Sequence, residues 1–379
     1  MKQNLDDTQL QLQDSANRYF SDLNGSRPIR DTQPARWRDY LDFGWLSLSV
    51  PQAQDGSGLS PAYSAVLLES MGYYLAREPY VFSALLPSSL ARSLDLPGVT
   101  ALLVGGERRL VPAWQDGGNE APLGWAARLS RRADGSHALS GRKVFVPAWD
   151  ADCALIVSAQ RDGMPCLVQL PSGAQGVEAT PRRMADGSVA ADIMFNELSV
   201  TESMILATGP SARQAAEKAT LLATLGLAIQ LHGLARGALA TTATYVNQRK
   251  QFGQAIGQFQ AIRHRVADIA IAIAQAGASW RVALNGFVSN ADHADPANSG
   301  DHADVAHLAP AVSAAKVACA NAALFAARQA IQLHGAIGYT EEADPGQYLN
   351  AALTWSTQLG GTLWHLERIA ASNFKIELT

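Results

Sequence analysis

The sequence predicts an α+β protein built in three consecutive parts: a helical N-terminal region over residues 1–100, a mainly β middle over 101–205 and a C-terminal four-helix bundle over 206–379. Three observations predict it. Apolar residues recur at helical spacing along the first part, short apolar runs divided by Gly, Pro and Asp replace them in the middle, and long Ala- and Leu-rich stretches fill the last. With 47% apolar and 17% charged residues, the 379-residue chain has the composition of a protein that buries an extensive core.

Leu5, Leu12, Ala16, Tyr19 and Leu23 place an amphipathic helix at the N-terminus, where the apolar core of a signal peptide is lacking. A second helix is expected over 36–46, with Trp37, Tyr40, Leu41 and Trp45. Ser60-Pro61 forms the cap and first turn of a third, which runs through Ala76 and stops at Glu78-Pro79. In the middle, Ala101–Val104, Leu139–Val146, Ala154–Ala159, Cys166–Leu170 and Val189–Phe195 read as strands, the last with alternating Val189, Ala191, Ile193 and Phe195. Beyond 210 the helical stretches are broken near 286–303 and 343–346.

A net charge of -4 with scattered Lys and Arg excludes nucleic acid as a partner class. Three widely spaced cysteines, Cys153, Cys166 and Cys319, form neither a disulfide framework nor a zinc motif, so a reducing cytoplasm is the expected location. Leu221–Ala240 has the length of a membrane span, but Gln230, His232 and Arg236 make a helix buried in protein the better reading. The Asp- and His-bearing segment from Asp292 through Asp304 and His307 has loop neighbours and no recognised ligand spacing, so no metal site is expected there.

Two motifs carry chemistry. Tyr245-Val-Asn-Gln-Arg-Lys-Gln-Phe-Gly253, continuing to Gln260, His264 and Asp268, places Arg249 at a helix end, where its planar donor array suits a pyrophosphate; Gly253 is expected to allow close backbone approach. Gln332-Leu-His-Gly-Ala-Ile-Gly-Tyr-Thr-Glu341 is a Gly-rich helix end. Together, in this order, they resemble the acyl-CoA dehydrogenase family, with Ala336 in place of the second Gly of that family's Gln-x-x-Gly-Gly loop. The resemblance implies FAD as cofactor and α,β-dehydrogenation of an acyl-CoA thioester. It also implies that Arg249, Gln251, Phe252, Gln332 and Gly335 contact the FAD of a neighbouring subunit.

The resemblance weakens where a family member serves its own site. The family's base, a Glu in a Tyr-Glu-Gly-Thr run, aligns with Gly360 of Leu359-Gly360-Gly361-Thr362. Its alternative place on the preceding long helix falls at Ala223-Thr224, and neither position holds a carboxylate able to take the α-proton. The flavin-ring loop is matched at best by Val111–Gly118, and the adenosine-holding run keeps only Thr362. These losses imply the small, non-catalytic subunit of a heteromeric enzyme. Its homologous partner, in an α2β2 assembly, would hold most of the acyl-CoA and pass electrons to an electron-transfer flavoprotein. Ala76-Arg-Glu-Pro-Tyr80 and Gly346-Gln-Tyr-Leu349 resemble stretches of pimeloyl-CoA and steroid side-chain dehydrogenase subunits. Two other readings stay open: a homotetramer with a displaced base such as Glu217, Glu341 or Glu342, and a scaffold that has lost the flavin. Glu217-Lys218 itself reads as a surface pair.

Overall fold

The computed structural model describes residues 5–24, 34–106, 108–117, 121–133, 135–292, 305–340 and 344–372. α1 (Asp7–Asn24) starts at a reciprocal cap, the Gln9 amide donating to Asp6 Oδ1 at 2.7 Å and the Asp6 amide to Gln9 Oε1 at 3.1 Å. α2 (Pro34–Asp42) and the 3-10 turn Trp45–Ser47 pack Tyr40 and Trp45 against Tyr19 and Phe20 of α1. α3 (Pro61–Tyr73) begins where expected, although Ser60 makes no side-chain capping bond. It ends earlier than Glu78-Pro79 because Leu75 turns left-handed (φ 56°). The chain then re-enters the interior, where Glu78 pairs with Arg36 and accepts a hydrogen bond from the Tyr40 hydroxyl at 3.2 Å. A π-helical turn, Val81–Leu85, leads into α4 (Leu86–Leu94) and α5 (Pro97–Gly105).

α5 corrects one expectation: Ala101–Val104 is helical, not a strand. Pro97 opens the helix, and Gly106, left-handed at φ 61°, closes it with its amide on the Leu102 carbonyl. The first strand is instead β1 (Leu110–Ala113).

β2 (Arg128–Arg131), β3 (His137–Pro147), β4 (Ala154–Arg161), β5 (Met164–Leu170), β6 (Val177–Arg183), β7 (Val189–Val200) and β8 (Ile205–Thr208) complete a mixed sheet ordered β6-β7-β3-β2-β4-β5-β8, with β1 parallel to β4. The expected runs within 139–195 lie inside β3, β4, β5 and β7. β2 and β6 show no apolar alternation because most of their residues are polar or charged and face solvent.

α6 (Pro210–Gln248), α7 (Gln260–Asp292), α8 (Ala309–His334) and α9 (Pro345–Thr357) form the bundle, with α10 (Thr362–Ala371) packed on α8. The bundle and α1–α5 share one apolar core, and the sheet has its own. α3 crosses α6 at backbone contact. A Cβ on Gly72 would stand 1.9 Å from the Gln230 carbonyl oxygen, and one on Gly233 2.1 Å from that of Glu69. α6 and the helical segment Ala306–Tyr339 are long and apolar enough to cross a membrane by length and composition, but the apolar window of α6 is 94% buried in protein. Its polar residues have partners from α3 and the turn after it. Gln230 donates to the Ala76 carbonyl at 3.3 Å, and His232 and Arg236 lie 3.0 and 2.9 Å from Glu69 Oε1. Burial alone would raise the Glu69 carboxyl, yet these two neighbours hold it at about 2. The Asp- and His-bearing segment lies outside the described residues, apart from Asp292 and His307.

Candidate functional site

Two surfaces carry the residues singled out by the sequence. On the first, α6 stops at Gln248 and Arg249 follows in extended conformation, its amide donating to the Tyr245 carbonyl at 2.8 Å. β9 (Lys250–Gln251) and β10 (Gln254–Ala255) then form a hairpin whose two-residue turn, Phe252-Gly253, is left-handed at both positions (φ 51° and 80°). Such a turn demands Gly on conformational grounds. Nothing lies within 4 Å of the Cβ that Gly253 lacks, so close backbone approach within the chain is not its reason. Arg249 and Gln251 are exposed, Phe252 is 90% exposed, and the Arg249 side chain makes no hydrogen bond or ion pair among the described residues.

α8 ends nearby at His334, and Gly335 (φ 66°) turns the chain into the 3-10 segment Gly335–Tyr339. Gln332 and Gly335 are exposed, while Glu341 lies outside the described residues. The two motifs meet where the Tyr245 ring stacks on His334 with centroids 4.1 Å apart, and the Tyr245 hydroxyl donates to the His334 carbonyl at 3.2 Å. The surface thus joins to the exposed Phe252 ring, which meets Phe259 edge-on, a permanent cation and side-chain amides that make no side-chain hydrogen bond among the described residues. That donor set fits a pyrophosphate and the adenosine beside it.

The second surface is the turn from α9 to α10, where Gly360 stands. Its backbone is left-handed (φ 98°), and a Cβ there would lie 2.8 Å from Trp364 Cε3 and 3.0 Å from His365 Nε2. Two buried groups fix this turn, and a third braces the helix before it. Lys316 of α8 donates to the Ser356 carbonyl at 2.8 Å and the Gly360 carbonyl at 3.3 Å. With only carbonyls as partners, burial pushes its ammonium down to about 7. His365 faces the Leu359 carbonyl through Nε2 at 3.1 Å and the Ser313 hydroxyl through Nδ1 at 3.0 Å. Since a carbonyl only accepts, Nε2 carries the proton and Nδ1 accepts from Ser313. Burial, and then the charge on Lys316, lower His365 to about 3, which keeps it neutral. Asp186, from the β6–β7 hairpin, accepts from Trp355 Nε1 at 3.0 Å. The sequence signal was a lone Lys in an Ala-rich helix, which without depth information reads as solvated.

The turn opens on a cavity of about 250 Å3 walled by Pro112, Trp114, Phe145, Pro147 and Leu359. This wall is mainly apolar, and Gln115, Thr357 and Gln358 are the polar side chains it offers to the pyrimidine edge of a flavin ring. The segment matched to a flavin-ring loop is partly β1, and its Asp116 is not part of this wall. Asp116 pairs at 2.5 Å with Lys143, whose ammonium also donates to the carbonyls of Trp114 and Gly124 and to Ser158 Oγ. Gly118 lies outside the described residues. Thr362 opens α10 and is half-buried. Ala223 is fully buried, and Thr224 returns its hydroxyl to the Thr220 carbonyl at 2.7 Å.

Among the acids weighed as displaced bases, Glu341 and Glu342 lie outside the described residues. Glu217 is half-exposed and lies 3.8 Å from Arg213 one turn back, the pairing that helical geometry favours over adjacent Lys218. It lines a different cavity, of about 470 Å3, with Trp125, Arg213, Trp364 and Arg368.

The fold and the two motifs define a class, and comparison with known proteins agrees. The family profile described as "Acyl-CoA dehydrogenase, C-terminal domain" matches residues 214–373. Acyl-CoA dehydrogenase FadE27 of Mycobacterium tuberculosis is 27% identical over 346 residues, covering 88% of this chain and 86% of the relative. Among solved structures, a variant of the Tcur3481-Tcur3483 steroid ACAD superposes with a TM-score of 0.77 at 26% identity over 96% of this chain and 97% of that one. The ChsE4-ChsE5 complex from Mycobacterium tuberculosis gives 0.82 at 22% identity over 98% of each chain. Residues 214–373 of the chain match the acyl-CoA dehydrogenase C-terminal domain, and the chain as a whole is similar to acyl-CoA dehydrogenases.

Proposed function

We propose that this chain is the non-catalytic subunit of a heteromeric, FAD-dependent acyl-CoA dehydrogenase. In this reading it lends Arg249, Gln251, Phe252, Gln332 and Gly335 to the FAD of a homologous partner in a cytoplasmic α2β2 assembly. The carrying observation is the Gly360 turn: the position aligned with the base is occupied by a left-handed glycine hemmed in by Trp364 and His365 and tied down by Lys316. A carboxylate added there would have to displace two rings before it could reach a substrate. FAD, when bound, accepts the hydride from the β-carbon. This chain's part is to hold the pyrophosphate with Arg249 and the adenosine end with Gln332, while the partner binds the acyl-CoA, supplies the base and hands electrons to an electron-transfer flavoprotein.

Support for a two-chain enzyme comes from the similar structures, whose names pair two proteins, one pair described as a steroid ACAD. On the same ground a bulky steroid or bile-acid side-chain thioester is favoured over a dicarboxylyl-CoA. The test is to purify the chain alone and, tagged, from its own organism, then measure flavin per chain and identify the co-purifying subunit. The expected result is little flavin alone and about one FAD per heterodimer with a homologous chain. Arg249→Ala should weaken that FAD by about tenfold to a hundredfold, the loss of one charge-assisted contact. Stoichiometric flavin in the homogeneous single chain would overturn the reading.

A further inference from the structure

We propose that Tyr245 and His334 are positioning residues that lock the two donated motifs into one unit, so that Arg249 and Gln332 meet a single cofactor at a preset spacing. This rests on the donation reading above and adds two residues outside the donated set. Tyr245 sits one turn before Arg249, whose amide closes the last turn of α6 on the Tyr245 carbonyl. His334 is the last residue of α8, two positions after Gln332 and directly before the left-handed Gly335. Their rings stack at 4.1 Å with planes 21° apart, and the Tyr245 hydroxyl donates to the His334 carbonyl. Among the described residues this is the only hydrogen bond from residues 245–259 to residues 330–340. The His334 ring is itself anchored, its Nδ1 facing the Ala330 carbonyl at 2.7 Å, so Nδ1 carries the proton and the ring cannot swing away without losing that bond.

The need for such a lock follows from how little else restrains the two turns. Phe252 at the hairpin tip is 90% exposed and Tyr339 at the end of the second motif is 78% exposed. A cofactor gripped at its pyrophosphate by one motif and at its adenosine by the other gains from both only if they are held at the right separation beforehand. Otherwise binding must order them at that moment and loses affinity accordingly. Stacking plus one neutral hydrogen bond is strong enough to supply that order at two helix ends that already lie side by side.

The experiment measures FAD dissociation from the complex co-purified with this chain, by flavin fluorescence on release, for wild type, Y245L, Y245F, R249A and the double variant Y245L/R249A. Y245L should weaken FAD by about tenfold, and Y245F, which keeps the stack and loses the hydroxyl, by about threefold. In the R249A background, Y245L should add less than about twofold, because the group it positions has gone. A purely structural Tyr245 would give a loss of equal size in both backgrounds, and that result overturns the proposal. So does unchanged FAD affinity in Y245L when R249A is weakened, which leaves donation itself intact; an R249A complex with unchanged affinity removes the donation reading instead. If Y245L fails to assemble, H334A, which deletes the other ring of the stack, is read against R249A by the same criterion.

Discussion

Lys316→Met offers the sharpest physical test of the buried turn. The ammonium has carbonyl partners and no carboxylate, and burial brings it from the ordinary 10.5 to about 7. A base whose folded value lies below its unfolded value contributes stability that is fully present above 10.5 and is lost as pH falls through about 7. Between these values the unfolded chain binds the proton and the folded chain does not, so each pH unit is worth about 1.4 kcal/mol. From about pH 7 to pH 9 the wild type should therefore gain roughly 2–3 kcal/mol over the variant, which has no proton site there. The variant also leaves the Ser356 and Gly360 carbonyls without a donor, a cost of roughly 1–3 kcal/mol that is the same at both pH values and so drops out of the comparison. Lys143, lowered by burial to about 8, and the three buried thiols are present in both proteins and cancel in the same way. The assay is urea unfolding of both proteins at the two pH values. A wild-type-minus-variant difference that stays flat or shrinks with rising pH would refute the claim that an uncompensated ammonium is buried under the turn.

Other perturbations have equally definite outcomes. Glu69→Gln weakens the contacts of this buried carboxylate to buried His232 and half-exposed Arg236 and should cost about 1–3 kcal/mol near neutral pH. Because the folded carboxyl is lowered to about 2 from 4.5, its contribution is present above 4.5 and fades as pH falls toward 2. Acid titration of the two proteins should accordingly converge at low pH. Gly360→Ala forces a Cβ against Trp364 at a left-handed position and should lower stability by about 1–3 kcal/mol, read by thermal unfolding; Gly360→Glu should be worse and yield no dehydrogenation by the single chain. Glu217→Gln should leave turnover of the complex at full flavin occupancy within the effect of about 0.5 kcal/mol usual for surface sites. A fall of about a hundredfold or more would mark Glu217 as the base.

Some of this protein was fixed by the order of its residues alone. Helical spacing, strand alternation and turn chemistry are local properties, so the three-part architecture was readable, and so was the break of α6 at Arg249 and of α8 at Gly335. The absence of a side chain at position 360 is likewise a fact of sequence. One local reading failed: Ala101–Val104 has apolar content that suits either a strand or a helix, and the flanking Pro97 and Gly106, which open and close a helix, decide it. The tertiary structure alone decided that Lys316 and His365, from separate helices, converge on the Gly360 turn, that Asp186 reaches Trp355 of the preceding helix, and that Tyr245 and His334, far apart in the chain, stack at the donated surface. Burial is the physical reason. A lysine or histidine in a sequence carries no mark of the depth at which it will sit, and depth determines whether its charge is solvated on the outside or held against carbonyls in the core.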